Sequence, residues 1–378
     1  FSFPGGGGVG GGRKGSGSSS RARVLSDAEK GTLKQLAAME CQDKVESAGL
    51  PRSWSPFLSV DDAPDTYEWI KITLLSPLCI VRALSIIGHL MVLWVFAKLK
   101  LWGMADAAVR GAQPMPWWRN MLFEFVVKSI LSSLLLCCGV FVQFRGLHNL
   151  REAKGKEVVG VFNHVSFLDA FVLTRLCTPT GVAKAGIDDF PFIGTVGRAM
   201  QVLFVARKGT TEGSSTSRQG GTIQLLKERM KQAAHFPIPL IAPEGVTTNG
   251  QSVVKFQTGA FALGVPVLPI LLKYPYRHFN PGWTLADTGW LVIRMLCQVY
   301  TPVICTVLPL RYPSEAEVAE PAAYARAVQH EISAALGVPA LDQDLYDCKA
   351  VMQAGFSVDR RGSVVRVGEQ EQKRQAWI

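Results

Sequence analysis

The sequence predicts an α/β domain, a mixed sheet flanked by helices, preceded by an N-terminal two-helix membrane-embedded motif. Three observations predict it. From about residue 157 short apolar runs alternate with amphipathic stretches, the pattern of strands interleaved with helices. Upstream, Ile72 to Ala97 has the length needed to cross a bilayer, and Met121 to Phe144 is similar. Trp69, Trp94, Trp102, Trp117 and Trp118 cluster at the ends of these two segments, where amphipathic rings sit at headgroup level.

In chain order, residues 1–66 read as a disordered, low-complexity region. The first 25 or so are glycine, serine and arginine, with too little to bury to offset the entropy of ordering. The run Gly5 to Gly12 satisfies G-x-G-x-x-G formally, but no strand precedes it, so it is compositional. The chain starts at Phe1, which suggests an incomplete or processed product. Residues 67–146 hold the membrane segments. The first contains Pro77 and Arg82, the second Glu124 and Lys128, and basic residues flank both, so the expectation is a kinked hairpin that dips into the bilayer and returns. Buried core helices of a soluble domain are the alternative.

Residues 147–350 read as the catalytic domain. Strands are expected at Val158 to Phe162, Val202 to Val205, Ile238 to Ile241, Val265 to Leu272 and Val303 to Leu308, and helices at Asp169 to Cys177, Thr222 to Ala234 and Ala322 to Leu336. Ser314 with Glu317 has capping-box spacing, Pro321 opens the last helix and Gly337 stops it. Residues 351–378 read as a flexible tail. The net charge of +10 admits an anionic lipid or phosphorylated partner, and no nucleic-acid motif accompanies it. The eight cysteines form no C-x-x-C pair, as expected of a reducing compartment.

Four blocks carry chemistry. Asn163-His164-Val165-Ser166-Phe167-Leu168-Asp169 follows an apolar strand. Five positions place His164 and Asp169 roughly 140° apart on a regular helix, so they meet only across a turn. There the carboxylate would fix the tautomer of a general base able to deprotonate a hydroxyl. A histidine and carboxylate that merely cap the following helix are the structural alternative. Ser166 lacks a G-x-S-x-G elbow, which argues against a serine nucleophile. Phe204 to Gly209 ends a strand on Arg207 and Lys208, suited to phosphate. A solvated surface pair is its bland reading. Ala242-Pro243-Glu244-Gly245-Val246-Thr247-Thr248-Asn249 sets a carboxylate and hydroxyls at a strand exit, or is a capped turn. Val265 to Pro269 contains Pro266 and Pro269, which cannot donate ladder bonds and belong on an edge or a lined groove.

In this order the blocks resemble the glycerolipid acyltransferase superfamily. N-H-x4-D is intact as Asn163, His164 and Asp169; the second block closes on Arg207; the third, normally F-P-E-G-T, is Ala242 to Val246; P-V-x-P is Pro266 to Pro269. The likeness runs from about residue 120 to 350 and is closest to lysophosphatidylcholine and lysophosphatidylethanolamine acyltransferases. It implies acyl transfer from acyl-coenzyme A to the free hydroxyl of a lysophospholipid at a membrane. His164 and Asp169 would be catalytic, and Asn163, Arg207, Lys208, Glu244, Gly245, Thr247, Pro266 and Pro269 would bind substrate. Lys255 is a further candidate for coenzyme A phosphates, and apolar side chains around Phe167, Phe204 and Pro266 would hold the acyl chain. No metal and no cofactor beyond the acyl-coenzyme A co-substrate is expected. Asp342 to Asp347 lacks the glycine and distal glutamate of a calcium-binding EF-hand. The expected location is the endoplasmic reticulum membrane, catalytic domain towards the cytosol. Ala242 and Val246 depart from the third block. Lysophosphatidic acid as acceptor, a thioesterase using water, and a non-enzymatic membrane-binding protein are the rivals.

Overall fold

The computed structural model describes residues 52–58, 64–109, 111, 113–184, 188–205, 219–284, 287–354, 356–358 and 364–366. Arg207, Lys208, the start of the chain to residue 51 and its end from residue 367 lie outside the described residues, so the expectations made there have no structural counterpart.

A 3-10 turn, Arg52–Phe57, leads to α1 (Thr66–Leu101), the short α2 (Asp106–Val109) and α3 (Trp117–Cys137). The chain then alternates: β1 (Val140–Arg145), α4 (Leu147–Ala153), β2 (Val159–Phe162), α5 (Leu168–Cys177), β3 (Thr180–Lys184), α6 (Ile193–Ala199), β4 (Leu203–Val205), α7 (Gln219–Met230) and β5 (Pro239–Ile241). There follow β6 (Val267–Lys273), α8 (Thr288–Leu296), β7 (Thr301–Val307), α9 (Glu315–Ala319), α10 (Pro321–Leu336), α11 (Leu345–Ala354) and a small hairpin of β8 (Phe356–Val358) and β9 (Val364–Arg366). The main sheet runs β1-β7-β6-β2-β5-β3-β4, parallel throughout except where β6 meets β7. It is the mixed α/β sheet the sequence predicts.

Alternation along β6 explains the layering. Leu268, Ile270 and Leu272 pack towards Leu93, Val127 and Leu131 of the two long helices and Val172 of α5. Val267 and Leu271 face the other way, onto Phe261 and onto Tyr324, Val328 and Ile332 of α10. The capping box at Ser314 and Glu317 forms, and Gly337 ends α10 in the left-handed region.

The run Met121 to Phe144 is not one helix. α3 stops at Cys137, and Gly139, at φ +73°, turns the chain into β1, which pairs with β7 at the sheet edge. A Cβ at Gly139 would lie 2.7 Å from the Val299 carbonyl oxygen and 2.9 Å from that of Gln298, so only glycine fits. β3 is a further strand the apolar pattern does not reveal.

Pro269 is not on an edge: β6 lies between β7 and β2. Ile270 to Lys273 pair with β7 in one register (Ile270 with Val307), whereas Val267 pairs with Arg311, one residue further on. Leu308 and Pro309 therefore make a bulge opposite Pro269. The Pro269 carbonyl accepts from Leu308 N at 2.9 Å, and the missing Pro269 N–H falls where the regular ladder is interrupted.

α1 has 36 residues, about 54 Å at 1.5 Å per residue, longer than the expected segment and the roughly 30 Å hydrocarbon core. It continues through Pro77 because Ser76 Oγ donates to Thr73 O at 2.9 Å, the carbonyl Pro77 leaves unsatisfied. Its charged residues are also accounted for. Glu68 pairs with Arg294 of α8 at 2.9 Å; Arg82 donates to the Leu296 and Gln298 carbonyls at 2.7 and 2.6 Å; Lys100 donates to Ala199 O, the end of α6, at 2.6 Å. Separated by 14 and 18 positions, these three lie within about 40° of one another on the helix. They form one stripe that pins α1 to the domain.

The opposite side of α1 presents Ile70, Leu74, Ile80, Leu84, Ile87 and Val95 to the outside, and α3 presents Trp117, Met121, Leu122 and Phe125. Both helices are long and apolar enough to cross a membrane. Core helices of a soluble domain would bury these side chains, so the exposure points to membrane association.

Candidate active site

β2 ends at Phe162, and the chain turns through Asn163 to Phe167 before α5 begins. The turn is held on three sides. Asn163 donates through Nδ2 to Leu272 O and accepts at Oδ1 from Leu272 N, both at 2.8 Å, locking the end of β2 to β6. His164 N–H donates to Glu244 Oε2 at 3.1 Å, and Thr248 N donates to His164 O at 3.0 Å. Trp283 N donates to Val165 O at 2.7 Å.

Within this frame Asp169, in the first turn of α5, meets His164 across the turn: Nδ1 to Oδ2 is 2.7 Å. The same oxygen accepts from the N–H groups of Val165 at 2.8 Å and Ser166 at 3.0 Å, and Oδ1 accepts from the Tyr274 hydroxyl. Asp169 is fully buried, while the His164 side chain is 28% exposed. With Nδ1 turned to the carboxylate as donor, Nε2 carries the free lone pair, the arrangement of a base directed at an external hydroxyl. Ser166 is fully buried and its hydroxyl accepts from Leu168 N, a structural placement with no access for an acyl group.

Glu244 is fully buried, and its carboxyl lies under the His164 turn. Burial pushes it well above the usual carboxylate range, the negative charge of Asp169 adds to the rise, and the N–H groups of His164 and Val254 oppose it. Glu244 thus supports the histidine turn from behind, with burial disfavouring its charged form. Replacing it with isosteric glutamine keeps an acceptor for His164 N–H. Because the folded-state pKa lies above the ordinary 4.5, wild type loses stability as pH rises from that value towards the folded one. Glu244→Gln is therefore expected to melt above wild type at pH 8, by a margin that shrinks towards pH 5; thermal scans at both values check this.

Gly245 makes the turn at φ +69°, and its N–H donates to Ala242 O at 3.1 Å. Thr247 is buried and donates to Trp283 O; Asn249 donates through Nδ2 to Ser55 O and Leu58 O at 2.7 and 3.1 Å, tying the 3-10 turn to the site. Of the residues expected to bind substrate, Asn163, Glu244 and Thr247 bond to the protein's own backbone. Pro266 and Pro269 are not brought to the site. In the register of β6 with β2, Pro269 lies opposite Val161 and Pro266 one residue before Val267, itself opposite Val159, so Pro266 sits roughly 20 Å of strand from His164. Phe204 is three strands from β2, roughly 14 Å away. Phe167 remains beside the histidine turn, edge-on to Trp283 at 6.0 Å. Lys255 is exposed. Tyr274 and Trp283 reach the site although no motif marks them; the only signal is the position of Tyr274 just past the end of β6.

Comparison with known proteins adds to this geometry. An acyltransferase family model matches residues 141–273, from β1 to the end of β6. A lysophospholipid acyltransferase of Arabidopsis thaliana is 32% identical over 273 residues, covering 72% of this chain and 48% of that protein. Lysophosphatidylcholine acyltransferase 1 of Danio rerio is 31% identical over 299 residues, covering 77% and 54%. The chain spans about half the length of these curated relatives. A solved 1-acyl-sn-glycerophosphate acyltransferase from Thermotoga maritima is 16% identical with a TM-score of 0.48, covering 69% of this chain and 95% of that one.

Proposed function

Since the chain carries an acyltransferase domain and is homologous to lysophospholipid acyltransferases, we propose that it moves a fatty acyl chain from acyl-coenzyme A to the free hydroxyl of a lysophospholipid. The observation that carries the reading is the 2.7 Å contact of His164 Nδ1 with buried Asp169, which leaves Nε2 free on a partly exposed ring. Nε2 takes the proton of the acceptor hydroxyl as its oxygen attacks the thioester carbonyl. The tetrahedral adduct expels coenzyme A as thiolate, and the imidazolium returns the proton to that sulfur. No acyl-enzyme forms, and Asp169 balances the transient charge on the ring.

Arg207 and Lys208 follow β4, and in this proposal Arg207 binds the acceptor phosphate while Lys208 and exposed Lys255 serve coenzyme A phosphates. Arg207→Ala is expected to raise the KM for lysophospholipid about tenfold with a smaller change in kcat, since a phosphate contact contributes alike to ground and transition states. Steady-state kinetics at varied lysophospholipid check it, and an unchanged KM removes the role. The apolar outer sides of α1 and α3 support a reaction at a membrane, for which we propose the endoplasmic reticulum with the site facing the cytosol.

The test of the whole reading is labelled acyl-coenzyme A offered with lysophospholipids bearing choline, ethanolamine, glycerol or phosphate headgroups. Acylated product identifies the acceptor. Lysophosphatidic acid as sole acceptor narrows the class, coenzyme A release without lysolipid identifies a thioesterase, and no turnover leaves a membrane-binding protein.

A further inference from the structure

We propose that Tyr274 is a positioning residue whose hydroxyl, held on Asp169 Oδ1, sets how strongly His164 attracts a proton. The kinetic consequence rests on the acyl-transfer reading; the titration described below does not.

Asp169 receives donors at both oxygens. At Oδ2 they are His164 Nδ1 and the N–H groups of Val165 and Ser166, and at Oδ1 the Tyr274 hydroxyl. The two backbone donors are fixed by the turn itself. The phenol is the side-chain donor with which a sequence can adjust the carboxylate's charge. It comes from outside the turn and is carried by a strand: Tyr274 directly follows β6, and Leu272, two residues earlier, is clamped at both its N–H and its carbonyl by Asn163. The ring is 7% exposed, so water does not replace the hydroxyl. A strand-borne donor in this position holds the carboxylate at a constant angle as the ring of His164 gains and loses a proton.

The other titratable groups facing Asp169 are Glu244, from the exit of β5, and Cys305, on β7. Burial, followed by the charge of Asp169, holds the carboxyl of Glu244 well above its usual range and lifts the Cys305 thiol to about 12. The thiol is therefore neutral at pH 7, and burial disfavours the charged form of the carboxyl. Burial, and then Asp169 itself, also keeps the Tyr274 phenol in its proton-bearing form, the one able to donate. Proton donation from Tyr274 draws charge away from Asp169 and weakens its hold on the imidazolium. Losing that donor concentrates charge on Oδ2 and makes the ring more basic.

The test uses the full chain in detergent. Carbethoxylation of His164 by diethyl pyrocarbonate, which requires the neutral ring, is followed against pH by mass spectrometry of the peptide. Tyr274→Phe should raise the midpoint by roughly half to one pH unit, and 3-fluorotyrosine at position 274, a stronger donor of the same shape, should lower it. In an Asp169→Asn background Tyr274→Phe should shift nothing further. Alongside this, kcat of Tyr274→Phe should fall roughly tenfold with little change in either KM, and the acid limb of kcat/KM should move to higher pH. Coincident midpoints for tyrosine, fluorotyrosine and phenylalanine would overturn the proposal, and the fluorotyrosine arm decides it even where Tyr274→Phe does not fold. A shifted midpoint in a protein that acylates no lysolipid keeps the role of Tyr274 and removes the functional reading instead.

Discussion

His164→Ala is expected to lower kcat roughly 10²- to 10⁴-fold, the range a positioned general base contributes, with both KM values and the melting temperature close to wild type. The separation of chemistry from folding follows from how the residue is held. Its N–H to Glu244 and its carbonyl bond from Thr248 are backbone contacts that alanine retains. Asp169 still has Val165, Ser166 and Tyr274 as donors, so its charge is not stranded when the ring is removed. Kinetics on the purified full chain, paired with a thermal scan, provide the check; turnover within a few-fold of wild type would eliminate the proposed base.

The second large effect concerns the anchor. Glu68 is buried between Arg294 and Lys71, and Arg294 also stacks its guanidinium over Phe279 at 4.8 Å. Glu68→Leu leaves two cations with no anion between them and is expected to cost about 3–5 kcal/mol, the penalty for uncovering a buried charge. The double variant Glu68→Leu/Arg294→Met removes the stranded guanidinium and should recover more than half of that loss. Unfolding in detergent by thermal or chemical titration measures both. A single variant as stable as wild type would mean that the pair does not hold α1 to α8.

Much of the frame was legible because its determinants are local. β2, α10, the Ser314 capping box and the stop at Gly337 follow from periodicity and end chemistry over a few residues, and the meeting of His164 with Asp169 follows from a spacing that forbids a helix between them. What escaped depends on distant partners. Val140 to Phe144 reads as the end of an apolar helix, and only the contact of Gly139 with carbonyls more than 150 residues away makes the break obligatory. Pro269 signals an edge until the bulge at Leu308 and Pro309 is seen. Arg82 looks foreign in a bilayer segment, yet it terminates α8. Asn163 and Glu244, expected at the substrate, also prop the histidine turn through backbone bonds, which a motif does not record because it lists the residues needed and not the direction in which they point.

The two-residue passage from α3 into β1 sets a rule for how the protein addresses lipid. With Cys138 and Gly139 alone between an apolar helix and the sheet, and α1 fastened along its length by Glu68, Arg82 and Lys100, no flexible tether joins helices and sheet among the described residues. The imidazole rides at a constant height relative to the helices that seat the molecule. In the proposed acyl transfer the protein would work as a ruler: the acceptor rises to the level of the base, because the base does not descend to meet it.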